Sequence, residues 1–203
     1  MADAIVRGVR VHYQRIGVAP DEGRAPMRVV FVHGLVMDNL ASWYFSVASA
    51  VAAFADVLLF DLRGHGLSER PATGYTVDDL VLDLAALLDA TLGEGPIVLV
   101  GNSVGALIAT RFALKFPGRT SGLVLVDGHL GDTDFGERMK ATLSLTGVDA
   151  DRAIAETFKD WLGRHSERKR NRLADHARKL VYETSLVDDL RATPAVTGDE
   201  LAT

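Results

Sequence analysis

Gly101-Asn102-Ser103-Val104-Gly105 places a serine between two glycines, at the junction of two unlike segments. Before it, Ile97 to Val100 is an unbroken apolar run, the pattern of a strand covered on both faces of a parallel sheet. After it, Leu107, Ile108, Phe112 and Phe116 recur at helical spacing until Pro117-Gly118 stops the pattern. A serine on such a strand-to-helix turn projects its hydroxyl above the sheet, and the flanking glycines remove side chains that would collide. The chemistry this allows is nucleophilic. A serine hydroxyl is a poor nucleophile at neutral pH, so Ser103 needs a base and a place for the developing oxyanion. The N–H of Val104, at the start of the helix, is one candidate oxyanion donor. The loop after the Val29 to Val32 strand supplies the second, for which the N–H of Leu35 is the candidate. Losing one such donor typically costs about 2.7–4 kcal/mol of transition-state stabilisation.

Other residues whose types could do chemistry carry less. Asp127 closes a strand and is either a candidate acid or a structural aspartate holding loop amides. Of the six histidines, His33 and His65 lie in loops at the carboxyl ends of strands, the side on which open α/β sheets carry their sites. His129 follows Asp127 too closely to face it, His165 and His176 sit in charged helical segments, and His12 is in the amino-terminal hairpin. None takes the part of the base. Arg164 to Arg172, with Arg178 and Lys179, is locally basic and reads as a solvated helix face rather than an anion-steering surface. Neither Gly64-x-Gly66 nor Gly93-x-Gly95 has the context of a dinucleotide site, and no His/Asp/Glu spacing suggests a metal, so no cofactor and no metal are expected.

The elements that must position Ser103 follow from periodicity. Ile5-Val6 and Val9 to Tyr13 predict a hairpin turning at Arg7-Gly8. Val29 to Val32 predicts a buried strand running into His33-Gly34. An Ala-rich helix is predicted over Trp43 to Phe54, a strand over Val57 to Phe60, and then a Gly-rich loop from Asp61 to Ser68. Thr76 is a good N-cap, with Asp78 and Asp79 in the first turn, for a helix presenting Leu80, Leu84, Leu87 and Leu88 and ending by Gly93 and Gly95. Leu123 to Val126 is a further strand. Such strand-helix alternation means a mostly parallel sheet with helices on both faces. Beyond Asp127 the pattern is helical only. One helix carries Phe135, Met139 and Leu143, and a second, capped by Asp149, carries Ile154, Phe158, Trp161 and Leu162. A third is capped by Ser166 and runs to about Tyr182. Gly147 and Gly163 stand where helix C-terminal glycines belong.

Composition sets the class. The 203 residues are 48% hydrophobic with a formal charge of −5, enough for one sizeable core and unsuited to a general nucleic-acid or anionic-membrane surface. The negative charge belongs to residues 1–134, which hold 10 basic against 15 acidic residues, while residues 135–203 balance 12 against 12. The absence of cysteine removes disulfide frameworks and thiolate metal sites. The start shows no basic stretch followed by a long apolar one, so no secretory signal is read and the cytoplasm is the default location.

With these residues in view, the chain resembles an α/β-hydrolase of the capped type. The resemblance rests on His33-Gly34, on Asp61-x-Arg63-Gly64-x-Gly66-x-Ser68, on the Ser103 pentapeptide and on Leu123-Val124-Leu125-Val126-Asp127, and covers residues 4 to 127. It implies a core over 1–131, strands one to six, and a helical cap over 132–203 laid over the sheet. It implies a cofactor-independent serine hydrolase in which Ser103 is the nucleophile and Leu35 and Val104 hold the oxyanion, with His33 and Gly34 structuring the loop beside them. The implied substrate is a small hydrophobic ester, thioester or activated carbon–carbon bond, with Met139, Phe158 and Trp161 of the cap suited to its apolar part. The Asn102-Ser103 pair is similar to the elbows of carbon–carbon bond hydrolases acting on dienone acids. Ala106 stands where a third glycine is common, implying a slightly looser helix-to-strand contact. An acyltransferase or lyase on the same fold, or a non-catalytic ligand-binding relative, is the alternative. The expected partner is a small-molecule substrate, with neither nucleic acid nor membrane, and a homodimer is compatible with this reading.

The family's chain order is Ser, then Asp or Glu, then His, with the last two after the seventh and eighth strands. Two further strand-plus-helix units, on the order of 30 residues each, are therefore expected beyond Thr203. The sequence is expected to be the front part of a longer enzyme. Edge physics agrees with that expectation, because Leu123 to Val126 otherwise forms a long apolar edge of the kind soluble proteins cover.

Overall fold

The structure, a computed structural model, describes residues 2–18, 26–36, 38–128 and 167–202. Six strands form one mixed sheet in the order β1-β2-β4-β3-β5-β6. Strand β1 (Ala2–Val6) and β2 (Val9–Gly17) make the expected hairpin, with Val6 opposite Val9. Arg7 and Gly8 both take positive φ, 50° and 82°, which matches the right-handed twist of a two-residue hairpin. Strand β2 runs antiparallel to β4 (Ala55–Phe60). From there the sheet is parallel through β3 (Met27–Val32), β5 (Ile97–Asn102) and β6 (Thr120–Val126).

Side chains alternate across a strand, so each inner strand feeds two cores. Val30 and Val32 of β3, Leu58 and Phe60 of β4 and Leu99 of β5 point into one cluster. Val29 and Phe31, Val57 and Leu59, and Val100 point into the other. The first cluster is closed by α3 (Val77–Thr91) and α4 (Val104–Lys115), through Leu80, Leu84, Leu88, Leu107, Ile108 and Phe112. The second is closed by the segment between β3 and β4, through Leu40 and Ala48. This two-sided burial is why β3, β4 and β5 read as continuous apolar runs.

The first helical segment differs from its expected span. It begins at α1 (Leu40–Trp43), widens into a π-helical turn (Tyr44–Ala48) and ends in α2 (Ser49–Val51). The start is earlier because Asn39 caps it, its side chain accepting the Ala41 N–H at 3.0 Å. The widening coincides with the Ser46 hydroxyl donating to the Ser42 and Trp43 carbonyls at 2.6 and 3.2 Å, a bond that competes with the helix ladder. Helix α3 starts as expected, with Thr76 accepting the Asp79 N–H at 3.1 Å and Asp78 and Asp79 in its first turn.

After β6, the description resumes at α5 (Glu167–Tyr182), followed by α6 (Leu186–Arg191) and α7 (Gly198–Leu201). Helix α5 matches the third helix expected there, whereas α6 and α7 went unforeseen. Ala177, Leu180, Leu186 and Leu190 are buried against the first cluster. The Tyr75 N–H donates to Asp189 at 2.8 Å, and Arg111 of α4 donates to Glu200 at 2.7 Å and to the Pro194 and Ala195 carbonyls. The expected helices carrying Phe135, Met139 and Leu143, and Asp149, Ile154, Phe158, Trp161 and Leu162, lie outside the described residues, as do Gly147, Gly163 and Arg164 to Ser166. No described helix is long and apolar enough to cross a membrane.

Candidate active site

Ser103 stands between β5 and α4 with φ 54° and ψ −122°, a left-handed conformation that a non-glycine residue adopts only when its surroundings impose it. The surroundings are backbone. A Cβ on Gly101 would lie 2.3 Å from the Gly105 carbonyl oxygen, and a Cβ on Gly105 would lie 2.3 Å from that of Val32. Strand β3 therefore presses directly on the turn, and only glycine fits at either position. The Ser103 N–H is held by the Val126 carbonyl at 3.1 Å. Ser103 is partly exposed, and among the described residues its hydroxyl has no hydrogen-bond partner. Ala106, in the place of the third glycine, is fully buried.

The loop after β3 carries a second strained residue, Val36 at φ 71°. For a β-branched side chain this is a marked departure, of the kind that costs about 1–3 kcal/mol and persists where packing over-determines it. The determinants are on either side. The Gly34 N–H donates to Asp38 Oδ2 at 2.8 Å and the Val36 N–H donates to His65 Nε2 at 2.9 Å. The Leu35 N–H between them meets no acceptor among the described residues. Val104, as the first residue of α4, likewise has an N–H with no intrahelical acceptor. Asp38 is itself fixed, accepting the Asn39 N–H at 2.9 Å and the Ser42 hydroxyl.

Two histidines brace this loop against the next one. His33 Nε2 accepts the Leu62 N–H at 3.0 Å and its Nδ1 lies 2.6 Å from the Gly34 carbonyl. His65 Nε2 accepts from Val36, and its Nδ1 lies 2.9 Å from the Arg63 carbonyl. A ring nitrogen that accepts from a backbone amide carries no proton, so in each ring Nδ1 bears the hydrogen and donates. Each ring bridges the two loops and each is used at both nitrogens. The rings lie 5.3 Å apart. Burial, reinforced by the His33 neighbour, pushes the His65 imidazole down to about 3, fixing it as a neutral strut. The second loop is anchored elsewhere by Arg63, whose guanidinium grips Asp83 of α3 at 2.6 and 2.7 Å, and by buried Asp61, which accepts from the Leu40 and Leu67 amides at 2.8 Å each.

Asp127 is brought beside Ser103, because β5 and β6 pair Asn102 with Val126. It too has a positive φ, 47°. Three of the four non-glycine residues with positive φ among the described residues thus stand at the carboxyl ends of β3, β5 and β6, the fourth being Arg7 in the hairpin. The Asp127 side chain is exposed and has no hydrogen-bond partner among the described residues. His129 and His165 lie outside the described residues. His12 pairs through Nδ1 with Asp3 at 2.7 Å.

A cavity of about 450 Å³ opens beside this machinery, walled by Val36, Asp38, Leu40, Tyr44, Phe45, Asp61, His65 and Leu67, with His12, Gln14 and His176 also reaching it. Ser103 is not in its wall. Gly34 stands close to both the wall and the serine: a Cβ there would lie 3.3 Å from Asp38 Oδ2 and 3.4 Å from the Ser103 Cβ. Asp38, Tyr44 and Phe45 were not singled out by sequence reasoning. The Asp38-Asn39 pair directly ahead of Leu40 is a helix-capping signal that could have drawn attention to the first of them.

A family model described as the alpha/beta hydrolase fold matches residues 28–199. Among curated proteins, the chain is similar to the 2-(acetamidomethylene)succinate hydrolase of Mesorhizobium japonicum, 32% identical over 107 residues that cover 53% of this chain and 37% of the relative. It is also similar to lipase LipV of Mycobacterium tuberculosis, 36% identical over 119 residues covering 59% and 42% respectively. The chain thus spans about two fifths of the length of these relatives. Among solved structures, Est816, described as an N-acyl homoserine lactone degrading enzyme, superposes with a TM-score of 0.67 at 27% identity, covering 92% of this chain and 74% of that one. Family match, sheet order and strained strand-to-helix turn agree, and the chain belongs to the alpha/beta hydrolase fold family.

Proposed function

We propose that the protein is a serine hydrolase in which Ser103 attacks the carbonyl carbon of a small hydrophobic ester, thioester or activated carbon–carbon bond. The observation that carries this reading is the left-handed Ser103, framed by two glycines that admit no side chain, with the N–H groups of Val104 beside it and of Leu35 in the loop after β3 meeting no acceptor among the described residues. Attack forms the Oγ–carbon bond and turns the carbonyl oxygen into an oxyanion, which the Leu35 and Val104 N–H groups hold. Collapse expels the leaving group with a proton. Water then releases the acyl group as an acid and restores Ser103. Neither His33 nor His65 is free to take the serine proton, since both nitrogens of each are used by the loops. Asp127 is a candidate acid because β6 delivers it next to Ser103.

In this reading residues 1–131 are the core and 132–203 the cap, with substrate bound between them. The names of the relatives, a 2-(acetamidomethylene)succinate hydrolase, a lipase and an N-acyl homoserine lactone degrading enzyme, support hydrolysis of a small carbonyl substrate and leave its charge open. The experiment is turnover of p-nitrophenyl esters by the native protein and by Ser103→Ala. Loss of at least about 10³-fold in kcat in the variant is expected. Retention of the full rate contradicts the mechanism.

A further inference from the structure

The cavity beside the Gly34 to Asp38 loop bears on the charge of what Ser103 acts upon. Its volume of about 450 Å³ has room for the acyl or alkoxy part of a small substrate, and its wall residue Asp38 and Ser103 both lie against Gly34, within 3.3 and 3.4 Å of a Cβ placed there. Leu40, Tyr44, Phe45 and Leu67 make the wall mostly apolar, with the Tyr44 and Phe45 rings meeting edge-on at 5.0 Å. The charged groups are both acidic. Asp38 and Asp61 reach the cavity, and among the described residues no Lys or Arg does.

Neither carboxyl group can easily swing away. Asp61 is held by the Leu40 and Leu67 amides, and Asp38 by the Gly34 and Asn39 amides and the Ser42 hydroxyl. These bonds belong to the loops that form the site, so moving a carboxylate dismantles the wall. His65 offers no compensating positive charge, because both ring nitrogens are engaged with the backbone in the neutral form. A ligand carboxylate in this cavity would face two fixed negative charges in a partly desolvated space with no Lys or Arg among the described residues to pair with, which is unfavourable.

We propose that this cavity receives the uncharged part of the substrate, so that the protein acts on neutral esters, thioesters or lactones and discriminates against counterparts carrying a carboxylate in that part. The inference rests on the reading of Ser103 as nucleophile. It makes Asp38 and Asp61 determinants of specificity as well as loop anchors.

The test compares p-nitrophenyl pentanoate with p-nitrophenyl hemisuccinate, whose chain is similar in size and ends in a carboxylate. The native protein is assayed on both esters at the same pH. The expected kcat/KM for the neutral ester exceeds that for the anionic one by at least about tenfold. Leu67→Arg, at a 60% exposed position of the wall, places a cation there and is expected to narrow the ratio to about threefold or less by raising the rate on the hemisuccinate. Equal or better turnover of the hemisuccinate by the unaltered protein overturns the inference while leaving the nucleophile in place. So does a ratio that Leu67→Arg leaves unchanged. Turnover of neither ester, together with no fluorophosphonate labelling of Ser103, overturns the nucleophile reading and this inference with it.

Discussion

Ile97 to Val100 and Leu123 to Val126 are two apolar runs of nearly the same composition, paired side by side in parallel register. Leu99 is fully buried and Ile97 and Val100 nearly so, whereas Leu123, Val124, Leu125 and Val126 are 39–48% exposed. Local sequence makes both of them strands. Among the described residues only the inner one is covered on both faces, by α3 and α4 on one side and the α1–α2 segment on the other. The contrast carries over to the residues at their ends. Ser103 is clamped by the backbones of β3 and α4, while Asp127, one strand outward, is exposed and unpartnered among the described residues. Preorganised chemistry belongs to the inner strand, because a reactive group needs neighbours on every side to hold a strained conformation.

The largest expected effect breaks or upholds this contrast directly. In the 203-residue chain, Leu99→Ala should cost about 2–5 kcal/mol, while Leu125→Ala, on the strand left exposed there, should cost less than about 1 kcal/mol. Urea midpoints of the two variants measure the difference. Equal losses in that chain would mean that residues outside the described ones cover β6 as thoroughly as β5 is covered.

A second effect concerns the histidine braces behind the inner site. His65 is pushed down to about 3 when folded, against an ordinary value near 6.5. The unfolded chain therefore binds a proton that the folded chain refuses. Its contribution to stability is fully present above pH 6.5 and is lost as pH falls toward 3. Between pH 6.5 and 5 the loss should approach about 2 kcal/mol. Denaturation across that range measures it, and His65→Gln should lower stability at pH 7 while flattening the slope.

Smaller still is a pair of glycine substitutions. Gly105→Ala pushes a Cβ to 2.3 Å from the Val32 carbonyl oxygen and should cost about 1–3 kcal/mol, together with reactivity at Ser103. Gly122→Ala on β6 puts a Cβ at 3.6 Å from Val98, an ordinary contact, and should fall within about 0.5 kcal/mol. Thermal unfolding of both variants checks the pair. A Gly122→Ala penalty as large as that of Gly105→Ala would show that the outer strand is as tightly constrained as the inner one.

Much of this was legible in the sequence wherever the signal was local. The hairpin followed from Arg7-Gly8, α3 from Thr76 and its acidic first turn, and the elbow from glycine spacing between an apolar run and a helical one. Features resting on contacts between distant segments were not legible. His33 and His65 stood out as loop residues on the correct side of the sheet. Their reciprocal bonds to Leu62 and Val36, each spanning 29 positions, depend on how two loops meet. Asp38 and the Tyr44-Phe45 wall were hidden because the apolar pattern placed the helix start at Trp43, after the Asn39 cap that sets it. The expected apolar wall of Met139, Phe158 and Trp161 lies outside the described residues, while Leu40, Tyr44, Phe45 and Leu67 line the observed cavity.

The central claim is that the strained serine on the inner strand is an activated nucleophile. Reaction of the folded native protein with a fluorophosphonate probe, followed by mass analysis of the modified peptide, tests it most directly. The account predicts stoichiometric modification at Ser103, abolished in Ser103→Ala. A well-folded protein that stays unlabelled, or carries the label at another residue, would contradict it.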